Sequence, residues 1–418
     1  MSEETLICNF CQKTRKDTKK MIVGSGQTAI CNECVVLCGE MLNEHYEKDK
    51  TEKLKTGKTE LLNPVTIKDH LDRHIIGQTH AKTVMSVAVA NHYKRIVMPP
   101  ENLTLEKSNV LVLGPSGTGK TLLAKTIAEY LQVPFIIADA TSLTEAGYVG
   151  DDVENIISKL VASANGDITA AEKGIIFIDE IDKICRKTDS PSITRDVSGE
   201  GVQQALLKIV EGTTCRVPPQ GGRKHPDASM VEIDTSNILF IVGGAFVDLQ
   251  RQMKSRKGSG IGFGALVNNS TESQLSDVEP EDLIKFGLIP EFIGRFSMIT
   301  HVNNLNELQL VSILTEPDNS LIKQYQYLFS LDGLQLTFTK SAKYAIAKKA
   351  KTLGTNARGL KNIIDSILLP YQFDSKEMSN KGVLQIEITK ECVDKQVEPN
   401  LIFKNDGSNK IKKQLIRK

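Results

Sequence analysis

One octapeptide constrains this chain more than any other feature. Gly114-Pro115-Ser116-Gly117-Thr118-Gly119-Lys120-Thr121 has the spacing G-x-x-x-x-G-K-[ST]. It follows a short apolar run, Asn109 to Leu113, and precedes residues 121–132, where Leu122, Leu123, Ile127 and Leu131 recur at helical spacing. A strand, a glycine-rich turn and a helix in that order form a phosphate cradle. The glycines let backbone N–H groups wrap the phosphates, and the helix N-terminus adds its positive dipole end. Lys120 is placed to reach the β- and γ-phosphates, and Thr121 to hold Mg²⁺ through its hydroxyl. The nucleotide-binding set therefore runs from Gly114 through Leu122.

About sixty residues on stands Gly174-Ile-Ile-Phe-Ile-Asp179-Glu180. The apolar run predicts a buried strand with two carboxylates at its carboxyl end, beside the phosphate loop. Charges capping a buried strand need a partner. Asp179 suits the Mg²⁺ shell, and Glu180 is the candidate for polarising the attacking water. The pair turns a nucleotide-binding reading into a hydrolytic one. Further apolar runs of strand length fall at 133–138 and 238–242. Strands alternating with helices predict a parallel sheet covered on both faces.

The region from 307 onward changes character. Helical patterns at 307–328, 341–352 and 358–369 precede one strand-like run, Val383–Ile388, which reads as a smaller, mainly helical domain. Residues 47–63 are mostly charged and read as a solvated linker. The expected organisation is a zinc-binding domain at 1–46, the linker at 47–63, a large α/β domain at 64–305, a small helical domain at 306–400 and a flexible basic tail at 401–418.

Five of the eight cysteines crowd the beginning of the chain: Cys8, Cys11, Cys31, Cys34 and Cys38. Cys8-x-x-Cys11 and Cys31-x-x-Cys34, with 19 residues between the pairs, fit a closed four-thiolate Zn²⁺ site. Four thiolates leave no position for a reactive water, so the site is structural. Cys38, one helical turn beyond Cys34, is a spare candidate. The N-terminus is acidic and lacks the apolar segment of a secretory signal or the arginines of a transit peptide. The expectation is the cytoplasm, where clustered cysteines hold metal before they form disulfides. With 52 Lys and Arg against 51 Asp and Glu, the net charge of +1 argues against nucleic acid as the main partner. No run of about 18 apolar residues exists, so no membrane span is expected.

Two arginines stand in suggestive contexts: Arg295 in Pro290-Glu-Phe-Ile-Gly-Arg-Phe296, and Arg358 in Asn356-Ala-Arg-Gly-Leu360. NTPases of this kind often borrow an arginine from a neighbour to stabilise the transition state. Taken singly, each could equally be an ordinary structural arginine.

With these motifs in place, the chain resembles the ClpX family of AAA+ unfoldases from about residue 6 to about residue 400. The matching features run in the family's order. They are the Cys-x-x-Cys pairs, Ile75-Ile76-Gly77-Gln78, the phosphate loop, Gly147-Tyr148-Val149-Gly150, the Asp179-Glu180 strand, Arg195-Asp-Val-Ser-Gly-Glu-Gly201, Arg223-Lys224-His225, Ile261-Gly262-Phe263 and Gly294-Arg295. The resemblance implies an AAA+ P-loop domain with a helical small domain and a zinc module that docks substrates and adaptors. It implies a homohexameric ring, driven by ATP and Mg²⁺, that threads tagged or unfolded proteins into a ClpP peptidase and also acts as a chaperone without it. It implies adenine contacts at Ile75 and Ile76, although core isoleucines would look the same. Arg295 resembles the finger that reaches a neighbour's nucleotide, and Arg358 the residue coupling nucleotide to small-domain position.

Tyr148 and Val149 resemble the bulky tip of a pore loop. Arg195, Arg223, Lys224 and His225 resemble positive charge near the pore entrance, suited to a peptide carboxylate. Ile261, Gly262 and Phe263, in a glycine-rich segment, resemble a peptidase-docking loop whose apolar tips need a receiving cleft. The chain departs from the family in having Asn356 where a glycine is usual, which puts the geometry of that hinge in doubt. Its strand at 238–244 ends in Val-Gly-Gly without the polar sensing residue of many AAA+ proteins. A motor that remodels nucleic-acid complexes would share the ATPase residues. A zinc adaptor with a vestigial nucleotide fold would not keep Lys120, Asp179, Glu180 and Arg295 together.

Overall fold

The computed structural model describes residues 7–14, 17–24, 28–38, 61–100, 102–144, 151–185, 199–218, 230–249, 252–253 and 275–404. The chain divides into two compact units, Met1–Leu62 and Asn63–Lys418.

In the first unit, strands β1 (Met21–Val23) and β2 (Ala29–Cys31) pair antiparallel, and residues 32–38 are helical. Its packed centre is three cysteines, Cys8, Cys31 and Cys34, with Met21 and Ile30 against them. So small an apolar cluster is not a core that holds a fold by burial alone.

The second unit begins at a helix whose start is written in the sequence. Pro64 at its first position fits the fixed φ of proline, and the Asn63 side chain accepts the Val65 N–H at 3.0 Å. This helix, α1 (Pro64–His74), packs on α2 (Thr79–Val97). The sheet that follows uses β3 (Asn109–Leu113), β4 (Phe135–Asp139), β5 (Ile175–Asp179), β6 (Leu239–Gly244) and β7 (Phe296–His301) in the order β7-β3-β6-β5-β4. Every pairing in it is parallel. That is the doubly covered sheet expected from unbroken apolar runs, since β3 and β6 are buried throughout. Helix α3 (Lys120–Leu131) leaves the phosphate loop after β3. Helix α4 (Val153–Ser163) precedes β5, and α5 (Glu200–Glu211) follows it.

In this architecture ligands sit beyond the carboxyl ends of the parallel strands. The phosphate loop after β3, Asp179 at the end of β5 and Gly244 at the end of β6 share that edge. The register places Leu113 opposite Gly244 and Asp139 opposite Asp179.

A second buried cluster, from Leu305 to Val393, centres on Leu310, Phe329, Ile346, Leu360, Ile364 and Ile386. Its helices are α6 (Glu307–Thr315), α7 (Leu321–Leu331), α8 (Lys340–Thr352) and α9 (Asn356–Phe373). The single helix expected over 307–328 is therefore two. Pro317 lacks the N–H that a continuing helix would use, and Glu316-Pro-Asp-Asn-Ser320 forms the break. The region also holds more strand than expected. Gln335–Phe338 pairs parallel with Val383–Ile388, which pairs antiparallel with Asn400–Phe403. Residues 401–403 thus belong to this sheet and not to a tail, because Leu401 and Phe403 pack against the small core. The remainder of the expected tail, from 405, lies outside the described residues. Among the described residues no helix is long and apolar enough to cross a membrane.

Candidate functional site

The expected nucleotide residues surround one cleft of about 400 Å³, lined by Ser116, Gly117, Gly119, Lys120, Thr121 and Leu122 on the loop side. Asp179 lines it from the end of β5, Glu180, Asp182 and Lys183 from the turn that follows, and Ala357 and Arg358 from α9. Loop geometry explains the glycines. Gly114 has φ +139°, and a Cβ there would lie 2.3 Å from the Val302 carbonyl oxygen. Gly117 and Gly119 also have positive φ, at +76° and +105°.

Lys120 is 7% exposed, and its ammonium donates to the carbonyls of Gly114 at 2.6 Å and Pro115 at 3.0 Å. Burial holds it below the usual lysine range, against the opposing pull of Asp179. A nearly buried cation with no carboxylate in contact among the described residues is suited to an anionic ligand. Thr121 Oγ1 lies 3.1 Å from Asp179 Oδ2, so the two oxygens expected around Mg²⁺ already converge. Glu180 has φ +58°, a region that costs a side-chain-bearing residue energy. Its N–H bonds Asp179 Oδ1 at 3.0 Å, and the residue is exposed and lines the cleft. ATP and Mg²⁺ fit this donor set: an ammonium and loop N–H groups for phosphates, two oxygens for the metal, and an exposed carboxylate for water.

The strand end at Gly243-Gly244 has a physical reason for lacking a polar side chain. A Cβ on Gly243 would meet the Phe177 ring at 2.8 Å, and one on Gly244 would meet the Phe246 ring at 2.3 Å and Asp182 Oδ1 at 3.0 Å. The buried Asp182 carboxylate occupies that side and accepts the Ala245 N–H at 2.9 Å. Asp182 was not among the motif residues; its signal is the three-residue spacing from Asp179, which a short helical turn brings round to the cleft.

Asn356, which stands where a glycine is usual, opens α9 in the left-handed region. It has φ +48°, and its side chain donates to the Ser116 carbonyl at 3.1 Å, while the Ala357 N–H bonds the Gly117 carbonyl at 3.2 Å. Asparagine tolerates the left-handed region better than most residues, so it can both make the turn and tie the phosphate loop to α9. Asn356→Ala loses the bond and keeps the strain. It should lower unfolding free energy by about 1–2 kcal/mol, measured by denaturant titration without nucleotide. Asn356→Gly, which relieves the strain, should cost less. Equal losses in the two variants would show that the left-handed backbone contributes nothing.

Other expected residues fall elsewhere. Ile75 is buried and Ile76 partly so, and neither is among the residues lining the cleft. Just beyond them Gln78 bonds the Thr118 carbonyl and both backbone groups of Asn303. Arg295 lies outside the cleft lining and pairs with Glu211 at 2.5 Å. Tyr148, Val149, Arg195, Arg223, Lys224, His225, Ile261, Gly262 and Phe263 lie outside the described residues.

In the first unit, the sulfurs of Cys8, Cys11, Cys31 and Cys34 all lie within 4.8 Å of one another. Zn–S bonds of about 2.3 Å make a tetrahedron with sulfur–sulfur edges of about 3.8 Å. The Cys11–Cys31 separation is 3.5 Å. The Cys31 N–H points at Cys8 Sγ at 3.3 Å and the Cys34 N–H at Cys31 Sγ at 3.5 Å, as thiolates require. Burial raises the Cys8 thiol, but N–H groups from Cys11, Cys31 and Phe10 outweigh it and bring it down to about 6. Burial and the neighbouring sulfurs push Cys34 well up. Four such sulfurs become thiolates together only around a cation, and the set fits Zn²⁺. Cys38 is not part of the cluster.

Comparison with known proteins matches the regions that hold the cysteine cluster and the phosphate loop. Residues 6–44 match the ClpX C4-type zinc finger family, and residues 105–299 match the AAA domain (Cdc48 subfamily). The ATP-dependent Clp protease ATP-binding subunit ClpX of Treponema denticola is 52% identical over 395 residues, covering 93% of this chain and 94% of its own. The chain belongs to the ClpX family. As a member of that family with an AAA domain it is an ATPase, with a zinc finger at its N-terminus.

Proposed function

We propose that this protein is an ATP-driven unfoldase of the cytoplasm. It assembles as a homohexameric ring, takes up tagged or unfolded proteins, directly or through adaptors, and passes them to a ClpP-type peptidase. The observation that carries this reading is the single cleft where the phosphate loop, Asp179, Glu180 and Arg358 meet, in a chain similar along nearly its whole length to a Clp protease ATP-binding subunit.

In this reading Lys120 and the loop N–H groups hold the phosphates, and Thr121 and Asp179 hold Mg²⁺, which neutralises phosphate charge when bound. Glu180 orients and polarises the attacking water. Arg358, on the helix tied to the loop through Asn356 and Ala357, carries the nucleotide state into the small domain. Arg295 reaches the nucleotide of the adjacent subunit. Ile75 and Ile76 flank the adenine. Tyr148 and Val149 push the substrate, helped by Arg195 and the Arg223-Lys224-His225 cluster. Described residues flank two of these segments closely: Leu143–Thr144 pairs with Asp151–Asp152, and Thr214–Val217 with Val231–Asp234. Ile261 and Phe263 dock the peptidase.

The test is to incubate the protein with ATP and a tagged fluorescent protein, with and without a ClpP-type peptidase, and to follow fluorescence. Fluorescence should fall in an ATP-dependent way, and ATP turnover should rise with unfolded polypeptide. Turnover stimulated by DNA and not by polypeptide would instead mark a nucleic-acid motor. Phe263→Ala should keep ATP turnover and unfolding, yet reduce peptidase-dependent degradation at least about tenfold, because six weak anchors act together. Normal degradation by that variant, read as released peptide, would remove the docking role.

A further inference from the structure

We propose that Glu211 is the positioning residue for Arg295, setting the direction in which its guanidinium leaves the subunit. The proposal rests on the reading of Arg295 as the group that acts on a neighbour's nucleotide.

Glu211 is the last residue of α5, where the partial negative charge of the helix end disfavours a carboxylate. A cation beside it offsets that cost, and Arg295 Nη2 stands 2.5 Å from Glu211 Oε1. The backbones behind both side chains are fixed by one buried amide. Asn109, 1% exposed, donates from Nδ2 to the Arg295 carbonyl at 3.2 Å and to the Val210 carbonyl at 3.5 Å. Its Oδ1 accepts the Phe240 N–H of the central strand at 3.2 Å. Lys107 also donates to the Val210 carbonyl, at 3.0 Å, holding the end of α5 in place.

The two ends of the ion pair are thus anchored to the middle of the sheet, while the pair itself is open. The Arg295 and Glu211 side chains are 52% and 37% exposed. An ion pair so exposed adds little stability. What it does is select one orientation for a side chain with four torsions. The closest contact is through Nη2, and the five N–H donors of the fork leave others to offer an incoming phosphate. Helix α5 also starts directly after residues 186–198 and leads into Thr214–Val217, so the element that holds Arg295 adjoins two of the segments assigned to substrate.

The experiment is a double-substitution cycle on the full-length chain. ATP turnover, affinity for a fluorescent ATP analogue and assembly by sedimentation are measured for Glu211→Ala, Arg295→Ala and the pair. Glu211→Ala should lower kcat about tenfold, in line with the cost of misplacing a reacting group, with KM and analogue affinity within about twofold and assembly unchanged. Added to Arg295→Ala, it should have no further effect. Glu211→Gln, which keeps an acceptor without the charge, should fall between. Should the Ala variant fail to fold, the Gln variant carries the same cycle. Unchanged kcat, a loss that multiplies that of Arg295→Ala, or loss of assembly would each overturn the positioning role. Wild-type turnover in Arg295→Ala alone would instead overturn the reading of Arg295, whatever Glu211 does.

Discussion

Glu180→Gln is expected to reduce ATP turnover by about 10²- to 10³-fold while leaving ATP bound. The reason is local. The phosphate cradle comprises Lys120, Thr121 and the loop glycines, and none of its hydrogen bonds passes through the Glu180 carboxylate. Exchange of a carboxylate for an amide removes a proton acceptor and keeps size and shape. The backbone of Glu180, at φ +58°, is no worse served by glutamine, so the fold should be untouched. Turnover by phosphate release and affinity by a fluorescent analogue separate the two effects. Lys120→Ala should behave differently and weaken binding as well, because it removes the cation nearest the phosphates. Turnover within twofold of wild type in the Gln variant would exclude Glu180 as the group that activates water.

Removal of zinc is expected to unfold residues 7–38 while leaving residues 63–404 folded. Structural zinc contributes about 10–16 kcal/mol of apparent binding free energy in small modules. The apolar alternative here is slight: among the described residues, Met21 and Ile30 are what packs against the cysteines at the centre, and Ile7, Phe10, Ile22, Val23, Val36 and Leu37 are exposed. The second unit has large apolar clusters of its own. Protein purified without chelator should carry about one zinc per chain. After treatment with a strong chelator, amide protection in 7–38 should vanish and the main melting transition should persist. Retained protection in the metal-free protein would show that the hairpin and helix hold themselves.

These two predictions rest on the part of the protein that was easiest to read. The phosphate loop, the Asp179-Glu180 strand end and the four cysteines are recognisable because each motif is contiguous, or nearly so, and its spacing follows from the chemistry it serves. The parallel sheet was legible for a similar reason: β3, β5 and β6 are buried on both faces, and their residues are apolar without alternation. The small region was harder. Gln335–Phe338 and Asn400–Phe403 are four residues each, with strand character that depends on lying beside Val383–Ile388. A run so short has no periodicity of its own to detect, and its polar neighbours made the last one look like the start of a tail.

The amino-acid sequence by itself singled out the candidates for phosphate, magnesium and zinc, because backbone freedom at glycine and the ligand chemistry of lysine, carboxylate and thiolate are properties of residue type at fixed spacing. Only the tertiary structure decided what stands next to them. Asn356 reaches Ser116 across 240 positions, Asn109 joins the backbone of Arg295 to the end of α5, and the Phe246 ring with Asp182 fills the space that forbids a side chain at Gly244. Such contacts are made by elements that packing brings together from distant parts of the chain. Local pattern carries no record of which distant partner an asparagine or a helix-terminal glutamate will find.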